Sequence, residues 1–189
     1  MKMSAALTIR VVTSLEEFKG LAREWEELLD RVPGHSLFLT WEWLYYWATH
    51  HLEDGQLRIL LASDEHECLV GIAPLYLRRT KAQGLISVRE LRWLGSEAVC
   101  SSYLDFIVQE RHKPALLQRL YRYLFNEARG EWDMLTLSDV PAESSTLDLW
   151  NELFAEAGKV GEVVRMTSCP VVRLPRDVGS YRAGLGRNR

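Results

Sequence analysis

Cysteine is scarce, with three in 189 residues, at positions 68, 100 and 169. An odd number cannot all pair within one chain, and no spacing among them is short enough for a metal knuckle. A disulfide framework is therefore excluded, and a reducing, cytoplasmic setting is expected. Proline (6) and glycine (12) are too few for collagen or a low-complexity linker. Charge of one sign is lacking as well. The 23 basic residues nearly balance 26 acidic ones, and a net charge of −3 gives no long-range field to draw nucleic acid or an anionic membrane. No apolar run approaches the ~20 residues of a spanning helix. The start, Met1 to Leu7, reaches Arg10 before a leader-type apolar stretch can form. His35, His50, His51, His66 and His112 never fall at ligand spacing with an acidic residue or cysteine on a helix, so no structural metal is expected.

What is present is the composition of an ordinary globular chain, 47% hydrophobic and 26% charged, long enough to bury about 70% of its unfolded surface in one substantial core. Leu7 to Val12 alternates with β-branched residues and reads as a strand. Ser14 and Glu17 then stand at capping-box spacing before a helical face of Leu15, Phe18, Leu21, Ala22, Trp25, Leu28 and Leu29. Pro33-Gly34 stops that helix, and Thr40 caps a second one running from Trp41 to about His51. Leu57 to Ala62 and Cys68 to Leu77 read as a hairpin, with Pro74 marking a bulge or an edge. Val88 to Leu94 and Tyr103 to Val108 are further strands. Pro114 near a first turn opens a helix through Leu116, Leu117, Leu120, Tyr121, Leu124 and Ala128. A strand at Trp132 to Leu137, a helix at Leu147 to Ala157 and two extended runs, Val160 to Met166 and Cys169 to Leu174, complete the order. Hairpins mixed with two helical crossovers predict an α/β (α+β) fold with a mixed, mostly antiparallel central sheet and helices on both faces. Cys68 and Cys169, in apolar strands, are expected to be buried, and Cys100 to be exposed. Residues 176–189, with little apolar content, are expected to form a loose tail.

This succession of elements resembles the GNAT acyltransferase fold. Several phrases narrow the resemblance: Phe38-Leu39-Thr40-Trp41-Glu42-Trp43, Leu69-Val70-Gly71-Ile72-Ala73-Pro74-Leu75-Tyr76, Leu91-Arg92-Trp93-Leu94-Gly95 and Tyr103-Leu104-Asp105-Phe106. With them the chain is similar to the amino-terminal half of CelD-type acetyltransferases, relatives of the Fem-type peptidyl transferases. The resemblance implies one GNAT-like domain over residues 1–175, the first of a tandem, followed by the start of a linker. It implies a cytoplasmic transferase moving an acyl group from acetyl-CoA or another acyl-CoA to an amine, on a sugar or polysaccharide-related small molecule. The alternative is a non-catalytic half that docks on a catalytic partner domain or a second copy. A Fem-like aminoacyl-tRNA donor is disfavoured by the charge balance. Neither a nucleic acid nor a membrane is an expected partner.

In that fold the donor's diphosphate lies on a Gly-containing turn between a strand and a helix amino terminus. Here the corresponding segment, Gln109 to Ala115 after Val108, has no glycine and carries Pro114. Arg111, His112 and Lys113 can attract an anion there or can be solvated surface. The resemblance also places acceptor and thioester beside the Tyr103–Val108 strand. Alternation along it puts Tyr103 and Asp105 on one face, Asp105 to orient an amine and Tyr103 to donate a proton. The plainer reading is that Asp105 binds neighbouring amides and Tyr103 packs. Trp41 and Glu42, at the head of the aromatic helix that also holds Trp43, Tyr45, Tyr46 and Trp47, either line a substrate cleft or pack on the sheet. Asp139, past the next strand, is placed to contact substrate or only to close a turn.

Overall fold

The computed structural model describes residues 7–53, 55–82, 86–96, 99, 101–165, 168 and 174–184. Strand β1 (Thr8–Val12) is followed by α1 (Leu15–Gly20), α2 (Ala22–Leu29), a short 3₁₀ turn at Leu37–Leu39 and α3 (Trp41–His51). Ser14 caps α1 by accepting from the Glu17 amide at 3.2 Å, while Glu17 returns to the Thr13 amide at 3.4 Å. The stretch expected as one helix from Leu15 to Leu29 is two, because Gly20 weakens the helix and the Leu21 amide bonds back to Phe18 rather than one residue further. Thr40 caps α3 through the Trp43 amide.

Next come β2 (Gln56–Leu57), β3 (Ile59–Ser63), β4 (Leu69–Ala73), β5 (Leu75–Ala82) and β6 (Ile86–Trp93). The expected hairpin is present, with β3 antiparallel to β4 and β2 antiparallel to β5. Pro74 lies at the break between β4 and β5: it has no N–H for a ladder, yet its carbonyl accepts from the Leu94 amide at 2.8 Å. Then follow β7 (Ile107–Val108), a 3₁₀ turn at Glu110–His112, α4 (Lys113–Arg122), a π-turn at Tyr123–Glu127, β8 (Met134–Thr136), α5 (Ser145–Glu156) and α6 (Val178–Gly184).

The registers show that β6 and β7 lie end to end along one neighbour. Trp93 opposes Leu75, and Ile107 opposes Ile72. Residues 95–96, 99 and 101–106 are thus looped out of what would otherwise be a single strand. Two four-stranded sheets result, β1-β3-β4-β7 and β2-β5-β6-β8, which run on into each other at Arg58 and Pro74; every pairing is antiparallel except that of β8, which is parallel to β6. Among the described residues no ladder joins β7 to β8; the Leu104 amide donates to the Asp139 carbonyl at 3.1 Å across the gap between them. The sheet is forked there.

Helices cover both faces. Tyr76 meets Trp47 of α3 at 5.1 Å between ring centroids, whereas its alternating neighbours Leu75 and Leu77, with Leu91, border a small cavity walled by Tyr123, Leu124 and Trp132. Leu116 of α4 packs so tightly on β4 that a Cβ at Gly71 would stand 2.7 Å from it. Helix α5 joins α4 through a ring cluster of Tyr121, Phe125, Trp150 and Phe154. The expected mixed, mostly antiparallel sheet with helices on both faces is the observed architecture.

Four expectations are corrected. Cys68 is exposed, because Asp64 accepts from the Cys68 amide at 3.0 Å and folds the residue into the turn before β4. Tyr103 to Phe106 is not strand. Tyr103 is left-handed (φ 58°), and Asp105 caps the following amide, that of Phe106, at 2.7 Å, so two-residue alternation does not apply. Among the described residues Val160 to Arg165 lies against no strand, with Val160 99% exposed; β-branched residues favour a strand only where an edge is at hand to pair. Residues 178–184 form a helix in the expected tail, initiated by Asp177, which accepts from the Ser180 amide and hydroxyl at 2.9 and 2.7 Å, and none of its residues is buried. Cys100, Cys169 and most of the second extended run lie outside the described residues.

Candidate functional site

The fork brings the carboxy-terminal end of the looped-out segment, the β7–α4 turn and the start of α5 together. Asp105 is the hub. Its Oδ1 accepts from the Thr146 hydroxyl at 2.7 Å, and its Oδ2 from the Ser144 hydroxyl at 2.5 Å and the Lys113 ammonium at 3.3 Å. Lys113 Nζ also stands 3.4 Å from Glu110 Oε2. The Lys113 and Asp105 side chains retain only 8% and 14% of their exposure, while Glu110 keeps 73%. A cation this deep requires a partner of opposite charge, and Asp105 supplies it. Ser144 caps α5 by accepting from the Thr146 amide, and Ser145 donates to Glu110. That hydrogen bond is the first cause holding the Glu110 carboxyl below its usual range, with Lys113 adding to it against partial burial.

Two amides of the turn are committed as well. The His112 amide donates to the Gln109 carbonyl at 2.8 Å, the Lys113 amide to Glu110, and Pro114 has none to give. Val108 is buried and pairs with Gly71. Arg111 is exposed and bonds Gln109 and the His112 ring. Of the basic run, Lys113 is a buried structural cation and Arg111 is at the surface.

Tyr103 is 43% exposed. It and Asp139 (φ 59°) are both in the left-handed region, on the two sides of the Leu104–Asp139 bridge. Strained backbone of this kind persists only where surrounding structure holds it. Residues 95–106 are tied to α3 and to the segment before it. Trp43 Nε1 donates to Ser101 Oγ at 3.0 Å, and Ser36 Oγ to the Ser102 carbonyl at 3.3 Å. Trp41 turns towards α1, donating to the Phe18 carbonyl at 3.0 Å and stacking on Tyr45 at 4.7 Å. Glu42 is exposed beside Glu26, whose carboxyl is pushed up by hydrogen bonding to Glu42 and by its charge. The polar contacts of Trp41 and Glu42 thus run to α1 and α2, and those of Asp105 and Asp139 to the fork.

Sequence reasoning passed over one cluster. Glu90, on β6, accepts from Arg78 at 3.0 Å and from the Thr136 hydroxyl at 2.6 Å, with Arg92 at 3.7 Å. Glu90 and Arg92 are buried on the α3 side of the sheet, since they share that face with Tyr76. The signal was the alternation Glu90, Leu91, Arg92, Trp93, which assigns the charges to one face but not to the interior. Among the described residues no group of three or more His, Cys, Asp or Glu side chains can hold a metal, and no helix is long and apolar enough to cross a membrane.

No protein-family profile and no curated protein sequence matches the chain. Among solved structures, it is similar to protein BH1408 from Bacillus halodurans at 12% identity, covering 87% of this chain and 99% of that one with a TM-score of 0.47. It is similar to glucosamine-6-phosphate N-acetyltransferase from Arabidopsis thaliana at 14%, covering 87% and 98%, TM-score 0.46. A third similarity is to an aminoglycoside antibiotic 6′-N-acetyltransferase from Acinetobacter baumannii at 14%, covering 92% and 100%, TM-score 0.42. At these scores the likeness does not bear on what this chain does.

Proposed function

We propose that the chain is a GNAT-type domain of an acyl-CoA-dependent N-acyltransferase whose acceptor is an amine on a sugar or polysaccharide-related small molecule. The observation that carries this reading is the fork. β8 runs parallel to β6 and pairs with it alone, so the outer edge of β7 carries no ladder among the described residues. Backbone groups on such edges take up an extended, amide-bearing ligand as an added strand, and the arm of an acyl-CoA is such a ligand. Transfer to an amine needs chiefly a positioned donor and an uncharged acceptor nitrogen, so the polar side chains at the fork can serve structure without loss of that chemistry. On this reading Tyr103 and Asp139 touch the acceptor and Asp105 holds the turn, while Trp41 and Glu42, whose polar contacts run to α1 and α2, stand apart from the fork. Calorimetric titration of the full chain with acetyl-CoA and with CoA tests the reading. Saturable heat is expected; no heat and no thermal shift at millimolar ligand would remove it.

A second reading, a non-catalytic half docking on a partner domain or second copy, is favoured by one observation. Val160, Val163 and Val164 project from the chain after α5 at 99%, 58% and 59% exposure, an unusual display for a self-contained surface. Light scattering across a concentration series is expected to show association on this reading, and a strict monomer contradicts it.

A further inference from the structure

The resemblance to GNAT enzymes assigns the donor's diphosphate to the strand–helix turn after β7, and the residues there do not fit that group. We infer that in this chain the β7–α4 turn is a self-neutralised staple and not a diphosphate site, so that any acyl-CoA bound at the fork keeps its diphosphate off residues 109–115. This rests on the proposed acyltransferase reading only for the identity of the ligand that is turned away.

Three features of the turn carry it. A diphosphate needs free amides, close backbone approach and uncompensated positive charge. Of the amides, His112 is committed to Gln109 and Lys113 to Glu110, and Pro114 has none. No glycine lies between Gln109 and Ala115 to admit an oxygen against the backbone. The one buried cation, Lys113, already faces two carboxylates at 3.3 and 3.4 Å. Glu110 places its own negative charge at the amino terminus of α4, where the helix dipole favours an anion, and Ser145 holds that carboxyl ionised. An incoming diphosphate would meet the exposed Glu110 carboxylate at the head of α4.

What the turn does instead is fasten α5. Through Asp105 and Glu110 it reaches Ser144, Ser145 and Thr146, the first residues of that helix and its cap. The inference therefore makes a positive statement too: the charges a donor would need are spent on joining the β7–α4 corner to α5.

The test is amide shift mapping on the isotope-labelled full chain, with inorganic pyrophosphate and CoA as separate probes. Unmoved amides at Glu110, Arg111, His112, Lys113 and Ala115 with both probes at millimolar concentration are expected. Saturable shifts at these amides, produced by CoA and reversed by competing pyrophosphate, would overturn the inference while leaving the acyltransferase reading intact. CoA shifts confined to residues bordering the fork support both. Absence of any CoA shift removes the acyltransferase reading, and the pyrophosphate arm still decides the turn. A Glu110→Gln variant separates charge from shape: it should still show no saturable pyrophosphate shifts, because the His112 and Lys113 amides stay committed to backbone carbonyls, and tight binding by it would contradict the staple.

Discussion

Replacing Lys113 with methionine removes the ammonium from the staple and keeps most of the aliphatic stem. Asp105 then retains the Phe106 amide and the Thr146 and Ser144 hydroxyls but loses the Lys113 ammonium at 3.3 Å, in a setting where the two side chains keep 8% and 14% exposure. Breaking a buried pair on one side costs ~3–5 kcal/mol. The remaining hydrogen bonds to Asp105 lower that figure, and the Glu110 half of the site is open to solvent and adds at most ~1 kcal/mol. The expected loss is therefore ~2–4 kcal/mol, by the same buried-pair comparison. That corresponds to a drop in melting temperature of ~4–16 °C for a domain of this size. Urea denaturation of wild type, Lys113→Met, Asp105→Asn and the double variant measures it. The double variant should lose clearly less than the sum of the singles, since each single strands a charge or a donor that the double does not. A Lys113→Met loss within ~0.5 kcal/mol of wild type, the range of an ordinary surface change, would refute the reasoning.

Three further outcomes follow from the geometry. Gly71→Ala should destabilise the chain by ~1–3 kcal/mol through overpacking, because the new Cβ meets the fully buried Leu116 at 2.7 Å; unchanged urea stability would show that α4 does not sit on β4 this closely. Asp133 is held at about 2, against an ordinary 3.8, by the Arg89 side chain first and then its backbone amide. A lowered folded-state value gives stability that is complete above 3.8 and lost as pH falls towards about 2, so the gap between wild type and Asp133→Asn should close over that window. A gap that is flat with pH contradicts the pairing. Thr136→Val removes the 2.6 Å hydrogen bond to the buried Glu90 and should cost ~1.5–3 kcal/mol, the range for bonds to charged groups, measured by denaturation; a neutral substitution would mean the β6–β8 junction does not depend on it.

Local signals in the sequence survived into the structure because local chemistry decides them. The Ser14–Glu17 box and the Thr40 cap each involve residues three apart, and both form as read. Pro74 was legible as an interruption, for the want of an N–H. What was not legible is decided at long range. Tyr103-Leu104-Asp105-Phe106 has the composition of a strand, yet Asp105 is engaged by Ser144 and Thr146, 39 and 41 residues away, and the Leu104 amide is bridged to the Asp139 carbonyl beside a left-handed Tyr103. The same bonds turned a suspected catalytic carboxylate into the anchor of α5. That Lys113 is buried rather than solvated has the same origin, since a three-residue basic run carries no sign of the carboxylates that will surround it. The interruption between β6 and β7 left no mark in the sequence, because Val88 to Leu94 and the segment after Tyr103 each read as ordinary strands; only the shared neighbour β4/β5 makes them one line. The valines after α5 show the converse, a strand pattern that meets no edge.

Release of free thiol from acetyl-CoA, followed with the full chain in the presence of glucosamine and, in parallel, of glucose, bears most directly on the proposed chemistry. Faster release with the amino sugar than with its hydroxyl counterpart, together with an acetylated amine in the products, is the result expected. Equal, background rates with both sugars and with simple primary amines would contradict it.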